Sequence, residues 1–181
     1  QKVYATDISE QMIAVAKKQN LALKNIFYYV SEAEILKFGS DIFDYILCFA
    51  VYDSLNQELA LREFNRMLKR GGRILFNGKN SDYMPDDKLA LEAEISARMK
   101  KHPNHFTDVN KLLSHLNEFG FSIISQRYFI YRGDGSKDKY VSDPPEYFYE
   151  FEFIIEKISS FDTDLKFSNE YSKTFLKKEP Q

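Results

Sequence analysis

The sequence predicts an α/β fold whose sheet is mostly parallel and closes with an antiparallel C-terminal hairpin. Three observations carry this. Over residues 3–77, β-prone runs and helical patterns alternate as strand, helix, strand, strand, helix, strand. The third of those strands, Asp44 to Ala50, is apolar without alternation, as strands covered on both faces are. Two long β-prone runs, Phe121 to Tyr131 and Glu146 to Ile158, then follow one another across a polar loop holding Gly133, Gly135 and Pro144-Pro145.

Each element has a local reason. Val3 to Ile8 is a β-prone run ending in Asp7, and Ser9 behind it is a good N-cap for a helix over 10–20. Within that helix Met12, Ile13 and Ala16 fall at helical spacing, and Lys17-Lys18 occupy the last turn. Asn25 to Val30 is the second strand. Residues 57–70 make a helix with Leu61, Phe64 and Leu68 on one face and Gly71-Gly72 as its stop, followed by a strand from Arg73 to Asn77. A helix over 86–101 carries Leu91, Ile95 and Met99 on one side. Another over 108–118 is capped by Thr107 and ended by Gly120. In the last strand Tyr147, Tyr149, Phe151, Phe153 and Ile155 alternate with acids, which marks one buried face. The reading is one domain over 1–158 and a polar, loosely ordered tail over 159–181.

Composition excludes several classes. The chain has 181 residues and a net charge of −2, from 25 Lys plus Arg against 27 Asp plus Glu, so there is no global attraction to nucleic acid or an anionic membrane. A single cysteine excludes a disulfide framework and fits a reducing, cytoplasmic setting. No apolar run approaches the roughly 20 residues that span a bilayer. His102 and His105 lack a third ligand in sequence view, so no metal site is expected. Cys48, inside a buried strand, reads as a core filler.

The chemistry is expected where ligands of open α/β sheets sit, outside the carboxyl ends of the strands. Asp7, with Ile8 beside it, is placed to accept hydrogen bonds from the hydroxyls of a ribose. Glu32, with Ala33, ends the next strand, where a carboxylate can receive an adenine amino group. Phe49 to Asn56 forms the loop after the third strand. The competing readings are that Asp7 and Ser9 only cap a helix and that Glu32 is a solvated loop acid.

Taken in order, these segments resemble the class I S-adenosylmethionine-dependent methyltransferases over about residues 2–157, with a Rossmann-like sheet. Val3-Tyr4-Ala5-Thr6-Asp7-Ile8-Ser9 is similar to that family's second-strand region, and Ser31-Glu32-Ala33-Glu34 stands where it has a Gly-Asp-Ala-type segment. Phe43-Asp44-Tyr45-Ile46-Leu47-Cys48 with Tyr52-Asp53-Ser54 resembles its fourth-strand motif. Leu61 to Leu75, including Arg70-Gly71-Gly72, resembles the helix and strand that follow, and Leu116-Asn117-Glu118-Phe119-Gly120-Phe121 the entry to the sixth strand.

The resemblance implies S-adenosylmethionine as cofactor and a small-molecule acceptor methylated on oxygen or nitrogen. It implies that Asp7 and Ile8 hold the ribose, Glu32 and Ala33 the adenine, and Phe49 and Ala50 the methionine end. Asp53 and Tyr52 are then the acceptor-side candidates, Asp53 as base. His105 is a third, because 80–106 stands where the family has a segment over the acceptor. A non-catalytic methyltransferase-like subunit is the alternative function.

The family's first strand and glycine-rich loop belong upstream of Asp7, and none of the seven glycines here forms that loop. The expectation is therefore that the first strand is missing from these residues and that the polypeptide extends N-terminally by at least a strand and a glycine-rich turn. Asp143-Pro144-Pro145 reads as a turn device.

Overall fold

The structure is a computed structural model and describes residues 1–100 and 104–169. Its elements are, in chain order, β1 (Val3–Asp7), α1 (Glu10–Gln19), β2 (Ile26–Val30), β3 (Phe43–Cys48), α2 (Gln57–Met67), β4 (Leu68–Lys79), α3 (Lys88–Met99), β5 (Phe106–Thr107), α4 (Val109–Ser114), β6 (Phe121–Phe129), β7 (Glu150–Lys157) and β8 (Ser168–Asn169). A single 3₁₀ turn over Tyr52–Ser54 links β3 to α2.

The strands divide between sheets. β1 and β2 pair in parallel as a two-stranded sheet. β3, β4, β7 and β6 form a four-stranded sheet in that order, with β3–β4 parallel and both pairings of β7 antiparallel. The hairpin is therefore present, with β6 at the sheet edge and β7 between β6 and β4. The two sheets run in one sense. Tyr4, near the start of β1, stacks edge-on against Phe43 at the start of β3 with ring centroids 5.5 Å apart. Beyond the strand ends, the Asn56 amide donates to Glu34 Oε1 at 2.9 Å.

No described strand pairs with the edge of β1 opposite β2, nor with the edge of β3 opposite β4. This corrects the expectation that β3 is covered on both faces. Tyr45 and Leu47 are 66% and 69% exposed, and Cys48 is the one residue of β3 that is buried. The apolar run is real, but the described residues supply nothing to cover it.

The core lies between the four-stranded sheet and helices α2 and α4. Leu61, Phe64, Leu68, Ile74, Phe76, Leu112, Phe121, Phe151, Phe153 and Ile155 belong to it. The alternation in β7 is as the sequence predicts, with Phe151, Phe153 and Ile155 fully buried. Helix α2 stops at Met67, because β4 begins at once and extends through Gly71-Gly72 to Lys79. Asp108 rather than Thr107 caps α4, accepting the Lys111 amide at 2.9 Å, while the Thr107 hydroxyl donates to Gln57 Oε1. At the turn into β6, Gly120 has φ +78° and an added Cβ would lie 2.5 Å from the Ser159 carbonyl oxygen.

The start of the expected tail packs. Phe167 is buried in the core, β8 pairs with β5, and Glu58 accepts hydrogen bonds from the Phe167 and Ser168 amides and the Ser168 hydroxyl. The rest of that tail, 170–181, lies outside the described residues, as does His102. Among the described residues no helix is long and apolar enough to cross a membrane.

Candidate active site

The carboxyl ends of β1, β2, β3 and β4 bring the expected site segments to one end of the molecule. Ser9 caps α1 by accepting the Met12 amide, and its own amide donates to Asp7 Oδ1 at 2.8 Å. Asp7 thus does cap locally, with one oxygen. The Ser31 amide donates to the Asp7 carbonyl at 3.0 Å, which sets the ends of β1 and β2 side by side. Ile8 is exposed, Glu32 is exposed and Ala33 is half-buried against the core. Glu34 reaches the β3 side through Asn56, and Leu36 does so through its amide, which donates to Glu63 Oε1 on α2 at 2.9 Å.

At the end of β3 the backbone turns sharply. Ala50 sits at φ +58°, a region that L-residues rarely adopt, and its amide donates to Asn77 Oδ1 at 2.6 Å. Phe49 and Ala50 are both exposed there. Tyr52 goes the other way. Its ring is fully buried against Phe76, with centroids 5.0 Å apart, and its hydroxyl donates to the Gln57 carbonyl at 3.2 Å. Burial, reinforced by Cys48 and Glu58, pushes that hydroxyl well above the ordinary tyrosine range. Tyr52 is therefore a core residue and does not face an acceptor.

Asp53, its neighbour, points elsewhere. Its Oδ2 lies 3.0 Å from the Lys79 ammonium, and its carbonyl accepts the His105 amide at 2.7 Å. The fold thus joins Asp53 and His105, which are distant in sequence, through their backbones. The Cys48 thiol close by is pushed up to about 12, first by burial and then by the negative charges of Asp53 and Glu34.

Lys79, Glu94, Tyr149 and Arg132 complete the polar cluster; of these the sequence reading names Tyr149 alone, and only as a core-face residue. Lys79 also pairs with Glu94 at 3.0 Å. The Tyr149 hydroxyl donates to Glu94 Oε1 at 2.8 Å and accepts from Arg132 at 2.9 Å. Asn104 donates to Glu94 Oε2 at 2.7 Å. Burial, then the charge of Glu94, drives the Tyr149 hydroxyl far above its usual range. Burial likewise raises the Glu150 carboxyl, with Arg132 and Lys79 pulling against it.

Lys79 was in reach of sequence reasoning, since it ends β4 where ligand-facing residues belong; reading that strand only to Asn77 hid it. Glu94 was not. The apolar stripe of α3 suggested Leu91, Ile95 and Met99 as the inward face, whereas the residues it buries are Ala90 and Glu94, and Met99 is 80% exposed. Among the described residues no group of three or more His, Cys, Asp or Glu side chains is arranged to hold a metal ion.

The partly parallel α/β architecture, with acids and a strained turn gathered at the strands' carboxyl ends, is the Rossmann-like fold of solved S-adenosylmethionine-dependent methyltransferases. Residues 1–76 match the methyltransferase-domain family model.

Among curated proteins, a ubiquinone/menaquinone biosynthesis C-methyltransferase from Sinorhizobium fredii is 41% identical over 81 residues, covering 41% of this chain and 31% of its own length. A demethylmenaquinone methyltransferase from Staphylococcus haemolyticus is 27% identical over 146 residues, covering 71% of this chain and 61% of its own. The matches thus span less than two thirds of those relatives. Among solved structures, a methyltransferase from Thermotoga maritima superposes with TM-score 0.63 at 18% identity, covering 87% of this chain and 73% of that one. Another from Methanosarcina mazei gives 0.58 at 16% identity, covering 87% and 82%.

Proposed function

We propose that the protein transfers a methyl group from S-adenosylmethionine to a hydroxylated small-molecule acceptor, with a ring carbon of a quinol as the acceptor atom. The observation that carries the reading is the convergence of Asp7, the Ser31–Ala33 segment and the Phe49–Asn56 loop at one end of the molecule, beside the Asp53–Lys79 pair. Carbon rather than oxygen or nitrogen is favoured by the likeness to a ubiquinone/menaquinone biosynthesis C-methyltransferase and a demethylmenaquinone methyltransferase.

The residues fit the cofactor chemically. Asp7 retains a carboxylate oxygen beyond the one used by Ser9, suited to a ribose diol. Glu32 is exposed at the strand end, suited to an adenine amino group, with Ala33 and its backbone forming the side of the slot. Phe49 and Ala50, both exposed at the end of β3, flank the methionine end. When bound, S-adenosylmethionine supplies an electrophilic sulfonium methyl. The protein's own work is to align donor and acceptor and exclude water. Asp53 withdraws the proton of the acceptor hydroxyl, which makes the conjugated ring carbon nucleophilic. His105 is bonded to Asp53 through the backbone.

The test is to incubate the full-length protein with S-adenosylmethionine and a panel of demethylated quinols, phenols and amines, reading S-adenosylhomocysteine and the methylated product. A carbon-methylated quinol supports the proposal. A product methylated only on oxygen or nitrogen overturns the acceptor atom. Cofactor binding with no turnover on any acceptor points instead to the non-catalytic subunit.

A further inference from the structure

Lys79 lies between two acids delivered by different elements. Its ammonium is 3.0 Å from Asp53, in the turn after β3, and 3.0 Å from Glu94 on α3. All three side chains are withdrawn from solvent, at 13%, 15% and 1% exposure. One ammonium thus faces two carboxylates directly, and the Arg132 guanidinium reaches Glu94 through the Tyr149 hydroxyl.

The two acids are not equivalent. Glu94 is committed inside the protein, with Lys79 and the Tyr149 hydroxyl on Oε1 and the Asn104 amide on Oε2. Asp53 is held by one oxygen only. Its Oδ2 faces Lys79, while Oδ1 has no hydrogen bond among the described residues. The arrangement fixes one edge of the Asp53 carboxylate and leaves the other for something outside the chain. Lys79 is itself fixed, since Glu94 is anchored by Tyr149, and Tyr149 by Arg132.

We infer that Lys79 is a positioning residue that acts through Asp53, gripping Oδ2 so that Oδ1 is presented to the acceptor. The inference rests on the methyltransferase reading above and assigns it a component that neither the sequence nor the comparisons indicate. In the step Lys79 serves, the acceptor's O–H bond breaks, its proton forms a new O–H bond with Asp53 Oδ1, and the electron pair stays on the acceptor. Glu94 also ties α3 to the same ammonium, so α3 docks on the group that orients the base.

A double-mutant cycle on the full-length protein tests this, with S-adenosylhomocysteine affinity measured by calorimetry beside the kinetics. Lys79→Met is expected to lower kcat by about 10- to 100-fold, the scale of a misplaced catalytic group, and to leave cofactor affinity within about twofold. In the Asp53→Asn background the same change is expected to cost less than about twofold, because Lys79 then has no base to position. Lys79→Gln, which keeps a hydrogen-bond donor, provides the same comparison if Lys79→Met does not fold. Losses that multiply across the cycle, or a fall in cofactor affinity that parallels kcat, overturn the inference and leave the methyltransferase reading standing. A wild-type protein that methylates no acceptor overturns that reading, and this inference with it.

Discussion

Asp7 combines two duties in one side chain. Oδ1 accepts the Ser9 amide and so helps start α1, while the other oxygen is available at the strand end. Asp7→Ala would remove both functions, whereas Asp7→Asn keeps an oxygen for Ser9 and replaces the second acceptor with a donor. Asp7→Asn is therefore expected to weaken S-adenosylhomocysteine binding by about 1.5–3 kcal/mol, the scale for hydrogen bonds to a charged group, with unchanged helical content. Calorimetry and circular dichroism on one preparation check this, and retained affinity rejects the ribose role.

Glu58 offers a residue-scale test of stability. Burial works to raise its carboxyl, but the Ser168 hydroxyl and the Phe167 and Ser168 amides outweigh burial and hold it below the ordinary glutamate range. A carboxyl whose folded value is depressed contributes stability that is complete above its unfolded value, about 4.3. That contribution is lost as pH falls through the lower folded value. Glu58→Gln is expected to cost about 1–3 kcal/mol at pH 7 and progressively less below about pH 4. Urea unfolding of both proteins across pH 3–7 shows whether the two curves converge at the acid end.

Most helices were legible as elements, because caps and apolar spacing act locally. Ser9 before α1, and Leu61 with Phe64 on α2, do what their positions imply. What the sequence did not disclose was which face a helix buries when a charge is involved. Periodicity ranks residues by apolarity, so it turned α3 toward Leu91, Ile95 and Met99. The fold instead turns Glu94 inward, because Lys79 and Tyr149 await it there, and those partners lie at the end of β4 and just before β7. Tyr52 and Asp53 show the same limit at closer range: adjacent residues, one sent into the core and the other into the polar cluster by a single 3₁₀ turn.

The turn between α4 and β6 is an element-scale device that sequence did foresee at Gly120. An alanine there meets both the left-handed backbone, φ +78°, and contacts of 2.5 Å and 2.6 Å to Ser159 and Asn65. Gly120→Ala is expected to destabilise the fold by about 2 kcal/mol or more, lowering Tm by about 4–8 °C. Differential scanning calorimetry checks it; a Tm within a degree of wild type would contradict the steric account.

At the scale of the whole molecule, the parallel β1–β2 and β3–β4 pairings and the antiparallel edge hairpin followed from the succession of elements. The division into two sheets did not, since no single segment announces that its neighbour is absent. A strand parallel to both β1 and β3 would pair with both free edges.

That seam also divides the energetics of these 181 residues. From Val3 to Val30, Ile13 is the one buried apolar side chain, whereas the four-stranded sheet carries nearly all the rest. The ring contacts by which Val3–Val30 reaches beyond itself are Tyr4 with Phe38 and Phe43 and Tyr29 with Phe38. A segment so lightly anchored opens at a lower free energy than the body it leans on, as a separate cooperative unit. Native-state hydrogen exchange is expected to show β1, α1 and β2 opening together below the free energy of global unfolding, with β4 and β7 protected to the last. The segment that carries the proposed Asp7 contact is the one most free to melt, so ligand affinity here would include the work of folding it.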